Sequence, residues 1–178
     1  MRFFALASLL LTLTLHAADA PKIEAVLAKA ESKNPAYPQF ELTLTNRGET
    51  AVTLVQPGDG SNCGWRTPHL KWQWTADHDR KPLTEARCGN INSLKAGEVF
   101  TLNPGESRVM KDWIQSAIPG PGNYKVKVTY INDPQAKFRG IELGNHNASE
   151  MEKVRASTPL SVESNTLDIT VAHHEAVK

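Results

Sequence analysis

Tyr124-Lys125-Val126-Lys127-Val128-Thr129-Tyr130 decides the fold. Large apolar or aromatic residues occupy every second position, with Lys or Thr between them. Successive side chains of a strand point to opposite faces, so this segment lays one face on a core and turns the other to water. Pro121-Gly122-Asn123 stands directly before it, a cluster of turn residues that marks where the strand begins.

The same pattern recurs on both sides. Phe40, Leu42 and Leu44 alternate with Glu41, Thr43 and Thr45, and Asn46-Arg47-Gly48 marks a turn. Ala51 to Val55 follows and is closed by Pro57-Gly58-Asp59-Gly60, and Leu70, Trp72 and Trp74 alternate with Lys71, Gln73 and Thr75. Val99 to Leu102 and Val109 to Trp113 flank Asn103-Pro104-Gly105-Glu106, where Pro-Gly at the central positions fits a type II turn. Leu167, Ile169 and Val171 form the last run. Ile23 to Ala30 is rich in helix formers, but Ile23, Ala25 and Leu27 alternate, and it reads as the first strand. Short one-sided strands separated by Gly, Pro and Asn predict an all-β protein, an antiparallel immunoglobulin-like β-sandwich.

One helix is expected between Tyr130 and Leu167, in an insertion over about 133–164 at an edge or end of the sandwich. Ser149 and Glu152 have capping-box spacing, Asn147 and Glu150 offer a rival start, Met151 and Val154 share the inner face, and Pro159 helps stop it. Residues 1–18 read as a secretory signal peptide: Arg2, an apolar run from Phe3 to Leu15, then small residues around Ala17 and Ala18. Residues 19–178 then form a single domain, secreted or periplasmic. The apolar run is shorter than the ~20 residues that cross a bilayer, so no membrane insertion is expected after cleavage.

With 20 Lys and Arg against 19 Asp and Glu, the chain has no basic excess to neutralise phosphates, and nucleic acid is not an expected partner. There is no nucleophile-elbow pattern, no phosphate-binding glycine loop followed by Lys-Ser/Thr and no His-Glu-x-x-His pair. The chain is therefore not read as an enzyme, and no cofactor is expected. Cys63 and Cys88 are the two cysteines, and export favours a disulfide between them. Closing a loop of about 25 residues is worth on the order of 3.5 kcal/mol in the chain-entropy description. Cys63, His69, His78 and Cys88 also form a two-sulfur, two-nitrogen set of zinc type, but the spacings match no compact ligand pattern, and no metal site is assigned.

The disulfide would join two polar, glycine-rich loops, Gly58 to Pro68 and Arg87 to Asn92. Asn62, Trp65, Arg66, Arg87, Asn90 and Asn92 are the candidate binding residues, because a Trp face beside planar donors is favoured at recognition surfaces. The competing reading packs Trp65 over the disulfide and spends the asparagines on loop backbone. Trp72 and Trp74 read as core rather than as a sugar-stacking platform. Asn147-Ala148-Ser149 matches an N-glycosylation acceptor, meaningful only in a eukaryotic host.

Leu102-Asn103-Pro104-Gly105-Glu106-Ser107, Trp113 and Pro121-Gly122-Asn123-Tyr124 resemble the C-terminal half of many bacterial immunoglobulin-like domains. That resemblance implies a tyrosine corner at Tyr124, whose hydroxyl bonds back to the main chain. The order of elements is also similar to the BsuPI-type intracellular proteinase inhibitor domain over about a third of the chain, which implies a proteinase inhibitor as the alternative function. Leu44-Thr45-Asn46, Cys63 to Pro68, Arg87 to Asn90 and Arg155 to Pro159 resemble segments of uncharacterised secreted bacterial immunoglobulin-like proteins. The expected function is an exported, non-enzymatic binding or accessory module that recognises a protein or glycan, with an extracytoplasmic metal-binding protein as a further alternative.

Overall fold

A computed structural model of the chain describes residues 20–32, 36–57, 70–76, 95–110, 119–138, 141–142 and 148–173. The described residues are mostly β, with one short helix and several antiparallel sheets. The strands are β1 (Ile23–Ala30), β2 (Gln39–Asn46), β3 (Val52–Val55), β4 (Leu70–Ala76), β5 (Val99–Leu102), β6 (Ser107–Met110), β7 (Gly122–Asn132), β8 (Lys137–Phe138), β9 (Ile141–Glu142), β10 (Leu160–Glu163) and β11 (Leu167–Val171), with α1 (Ala148–Arg155) between β9 and β10.

Tyr124 to Tyr130 forms the centre of β7, the organising strand. β4 runs along one edge of β7, Leu70 opposite Tyr130 and Ala76 opposite Tyr124. β10 and β11 share the other edge, with Val162 opposite Tyr130 and Leu167 opposite Val126. β1, β2 and β6 form a second sheet in that order, while β3 with β5 and β8 with β9 are two-stranded. Apolar residues of the β1-β2-β6 sheet and of the β7-centred sheet enclose one core, with Leu42, Leu44, Val126, Val128 and Tyr130 fully buried. Phe40 of β2 meets Trp72 and Trp74 of β4 at ring-centroid distances of 5.1 and 5.8 Å. Such aromatic pairs add about 0.5–1.5 kcal/mol each beyond simple burial. Trp72 and Trp74 are thus core residues, at 6% and 2% exposure, and do not form a platform.

Short polar links join the sheets. The Asn165 side chain behaves like a strand partner for β1: its Oδ1 accepts the Leu27 N–H at 2.7 Å and its Nδ2 donates to the Leu27 carbonyl at 3.0 Å. Beside it, Ser164 exchanges bonds with Val128 through its own N–H and its Oγ. These contacts fall where the strand along β7 is interrupted between β10 and β11. β10 lies inside the stretch read from sequence as an insertion, although Leu160 and Val162 alternate with Ser161 and Glu163 as strand residues do.

The buried Asn46 closes the end of β2. Its N–H donates to the Glu106 carbonyl and its own carbonyl accepts from Gly105, while Nδ2 donates to Thr50 and Leu102 carbonyls and Oδ1 accepts from Gly48. The Asn103–Glu106 turn has the expected form, with Gly105 at φ 80° and Glu106 N–H donating to the Asn103 carbonyl at 2.9 Å. At the start of β7 the Tyr124 hydroxyl donates to the Gly120 carbonyl at 2.8 Å. Gly122 must be glycine: its φ is 152°, and a Cβ there would stand 3.3 Å from the Tyr124 ring.

The helix begins at Ala148, so Ser149 lies inside it rather than capping it. Met151 and Val154 face inward as expected, packing with Val55 and Val99. The run read as Val109 to Trp113 turns over in β6: Val109 is half exposed and Met110 is buried. Met110 therefore carries the apolar face, and Arg108 shares its side of the strand.

Candidate functional site

The residues singled out from sequence all fall on two connections, β3 to β4 and β4 to β5. Asn62, Cys63, Trp65 and Arg66, and Arg87, Cys88, Asn90 and Asn92, lie outside the described residues. The signal peptide over 1–18, Trp113, His69, His78 and Asn147 also lie outside them. The roots of the two connections are described, and they bear on where the loops start.

β3 ends at Val55, directly opposite Val99, the first residue of β5. One residue further out, the Gln56 N–H donates to the Glu98 carbonyl at 2.7 Å, so the pairing continues past the strand ends. Leu70 opens β4 opposite Tyr130, and the Tyr130 hydroxyl crosses the core to donate to the Val55 carbonyl at 2.6 Å. Three of the four strand ends that carry the connections thus gather at one end of the molecule. The fourth, Ala76, sits at the far end of β4 opposite Tyr124. Burial pushes the Tyr130 hydroxyl above its ordinary pKa of 10.0, which holds it as a neutral donor.

The Lys95–Glu98 turn leads into β5. Gly97 has φ 83°, the Glu98 N–H donates to the Lys95 carbonyl, and the Glu98 carboxylate accepts the Lys95 N–H at 2.7 Å. Asn103 to Glu106 repeats the device at the other end of β5, its Glu106 carboxylate accepting the Asn103 N–H at 2.8 Å. The shared spacing, a Gly-Glu pair ending a four-residue turn, was the sequence signal that could have identified Lys95 to Glu98. Gln56 and Arg108 carried no such signal.

Arg108 reaches this end from β6. Its Nη2 donates to Gln56 Oε1 at 2.8 Å and to the Gly97 carbonyl at 3.3 Å, and its guanidinium lies 4.1 Å over the Phe100 ring centroid. Buried Asn132 braces the same end from below. Its Oδ1 accepts the Val55 N–H at 3.1 Å, and its Nδ2 donates to Ser157 Oγ and the Thr158 carbonyl at 2.9 and 2.8 Å. Thr158 in turn exchanges bonds with Thr53, so β3 has a partner on each edge.

A cleft of about 660 Å³ opens between the Asp133–Lys137 turn and Arg155 to Pro159. Asp133, Lys137 and Arg155 line it, a mixed set of charges that selects no one ligand class. Among the described residues no group of three His, Cys, Asp or Glu side chains is placed to hold a metal. Compared with models of known protein families and with curated proteins, the chain matches none.

Proposed function

We propose that the chain is an exported, non-enzymatic binding or accessory module that recognises a protein or glycan through loops tied by a Cys63–Cys88 disulfide. The scaffold is an immunoglobulin-like sandwich. Supporting that scaffold, β1-β2-β6 and β4-β7-β11 correspond to the A-B-E and C-F-G sheets of such domains, and the Tyr124–Gly120 bond corresponds to their tyrosine corner.

One observation carries the binding reading. The connections rich in Trp, Arg and Asn have three of their four roots, Val55, Leu70 and Val99, at one end of the molecule, joined by the Gln56–Glu98 and Tyr130–Val55 bonds. Loops on a rigid scaffold are where binding residues concentrate. The test uses the mature protein, immobilised and exposed to secreted proteins and to a glycan array, beside a Trp65→Ala/Arg66→Ala variant. Truncating such anchors costs at least about 2 kcal/mol, roughly thirtyfold in Kd. The expected result is capture by the wild type and loss by the variant, with circular dichroism and melting unchanged. A variant that unfolds makes these residues structural, and a wild type that captures nothing sinks the reading.

A further inference from the structure

Arg108 occupies a position that strand alternation gives to an apolar side chain, on the same side of β6 as buried Met110. What it holds explains the exception. Gln56 is the first residue past β3 and opens the connection to β4, while Gly97 lies just before β5 and closes the connection from β4. Arg108 Nη2 donates to both, at 2.8 Å to the Gln56 side chain and 3.3 Å to the Gly97 carbonyl. The flat face of the guanidinium meanwhile covers Phe100. The two roots also bond directly through Gln56 N–H and the Glu98 carbonyl. A cation from a third strand therefore bonds to the roots of two separate connections, beside the main-chain bond that already joins them.

The side chain suits that task. A planar guanidinium directs donors to two acceptors while stacking on a ring, and an ammonium, being a compact point charge, does not do both. Hydrogen bonds to a charged group are also the stronger kind. The geometry points to Arg108 as a positioning residue for the loop end: it fixes Gln56 and Gly97, the roots of two connections, against one another. This role rests on the binding reading above, but its signature does not need a partner.

The experiment is amide hydrogen exchange on the full mature chain, comparing wild type, Arg108→Lys and Arg108→Met. Methionine keeps an apolar cover on Phe100 without the charge, and lysine keeps the charge without the fork. In both variants the Gln56 and Glu98 amides exchange about ten- to a hundredfold faster, while the Gln73 and Lys127 amides, paired across the β4–β7 ladder, stay within about twofold. Should methionine prevent folding, the lysine variant alone decides. Unchanged protection at Gln56 and Glu98, or an equal loss across the β4–β7 ladder, would overturn the assignment, as would full protection with lysine. Failure of the Trp65/Arg66 capture test is a separate result: it removes the binding reading and leaves the exchange pattern as it was measured.

Discussion

Replacing Asn132 with alanine removes the polar brace under the loop end, and its cost follows from three bonds. The side chain is 1% exposed. It accepts the buried Val55 N–H at 3.1 Å and donates to Ser157 Oγ at 2.9 Å and the Thr158 carbonyl at 2.8 Å. The serine hydroxyl can turn elsewhere, so its loss weighs little. The Val55 N–H and the Thr158 carbonyl are main-chain groups held in place by β3 and by the approach to β10. Each buried main-chain group left without a partner costs about 1–3 kcal/mol. The buried Val55 N–H carries most of that cost, the part-buried Thr158 carbonyl less, and with the small cavity the total is about 2–4 kcal/mol, a large part of the 5–15 kcal/mol that holds a typical domain together. For a chain of this size the melting temperature falls by roughly 10 °C. Urea unfolding followed by tryptophan fluorescence measures the loss, because Trp72 and Trp74 are core residues on β4. Asn132→Asp is the companion variant: it keeps an acceptor for Val55 but loses both donations and sets a carboxylate against the Thr158 carbonyl. It too is destabilised, increasingly so as pH rises above the ~3.9 of a free Asp, since burial favours the neutral acid. A loss below about 1 kcal/mol for Asn132→Ala would refute the reasoning, because the bonds would then be worth no more than exposed ones.

Two pH-linked outcomes follow from the same kind of accounting. Tyr130 is buried and its pKa is raised above 10.0, so the unfolded chain ionises first; stability is full below pH 10 and falls as pH rises further, and Tyr130→Phe abolishes that alkaline loss while costing about 1 kcal/mol at neutral pH through the lost Val55 bond. Alkaline melting curves of the two proteins measure it, and parallel curves would count against the burial argument. Glu106 behaves in the opposite sense: its pKa is lowered from 4.5 by accepting the Asn103 N–H, so its contribution is present above pH 4.5 and lost as pH falls through the depressed value. Glu106→Gln flattens the acid limb of the stability profile, and an unaltered limb would show that the turn does not depend on the charge.

The strands were legible because alternation is a local property. Phe40 to Leu44, Leu70 to Trp74 and Tyr124 to Tyr130 could be read one at a time, and each buries the face its pattern assigned, Tyr124 only in part. Pro104-Gly105 was legible for the same reason, since a positive φ demands glycine whatever surrounds it. β10 escaped because a four-residue strand next to a helix carries too little periodic signal to stand out. The candidate residues on the β3–β4 and β4–β5 connections were chosen by composition, which says what a loop carries but not where it begins.

Sequence alone therefore determined most of the strands, the faces that β2, β4 and β7 bury and the Asn103–Glu106 turn, since each of these depends on neighbours two to four residues apart. Only the tertiary structure decided the order β1-β2-β6 and the shared edge of β7, the use of Asn165 as a strand partner for β1, and the meeting of Gln56, Gly97 and Arg108. These contacts join residues far apart in the chain. A polar side chain that will satisfy a distant main-chain group looks, in sequence, the same as one that will face water.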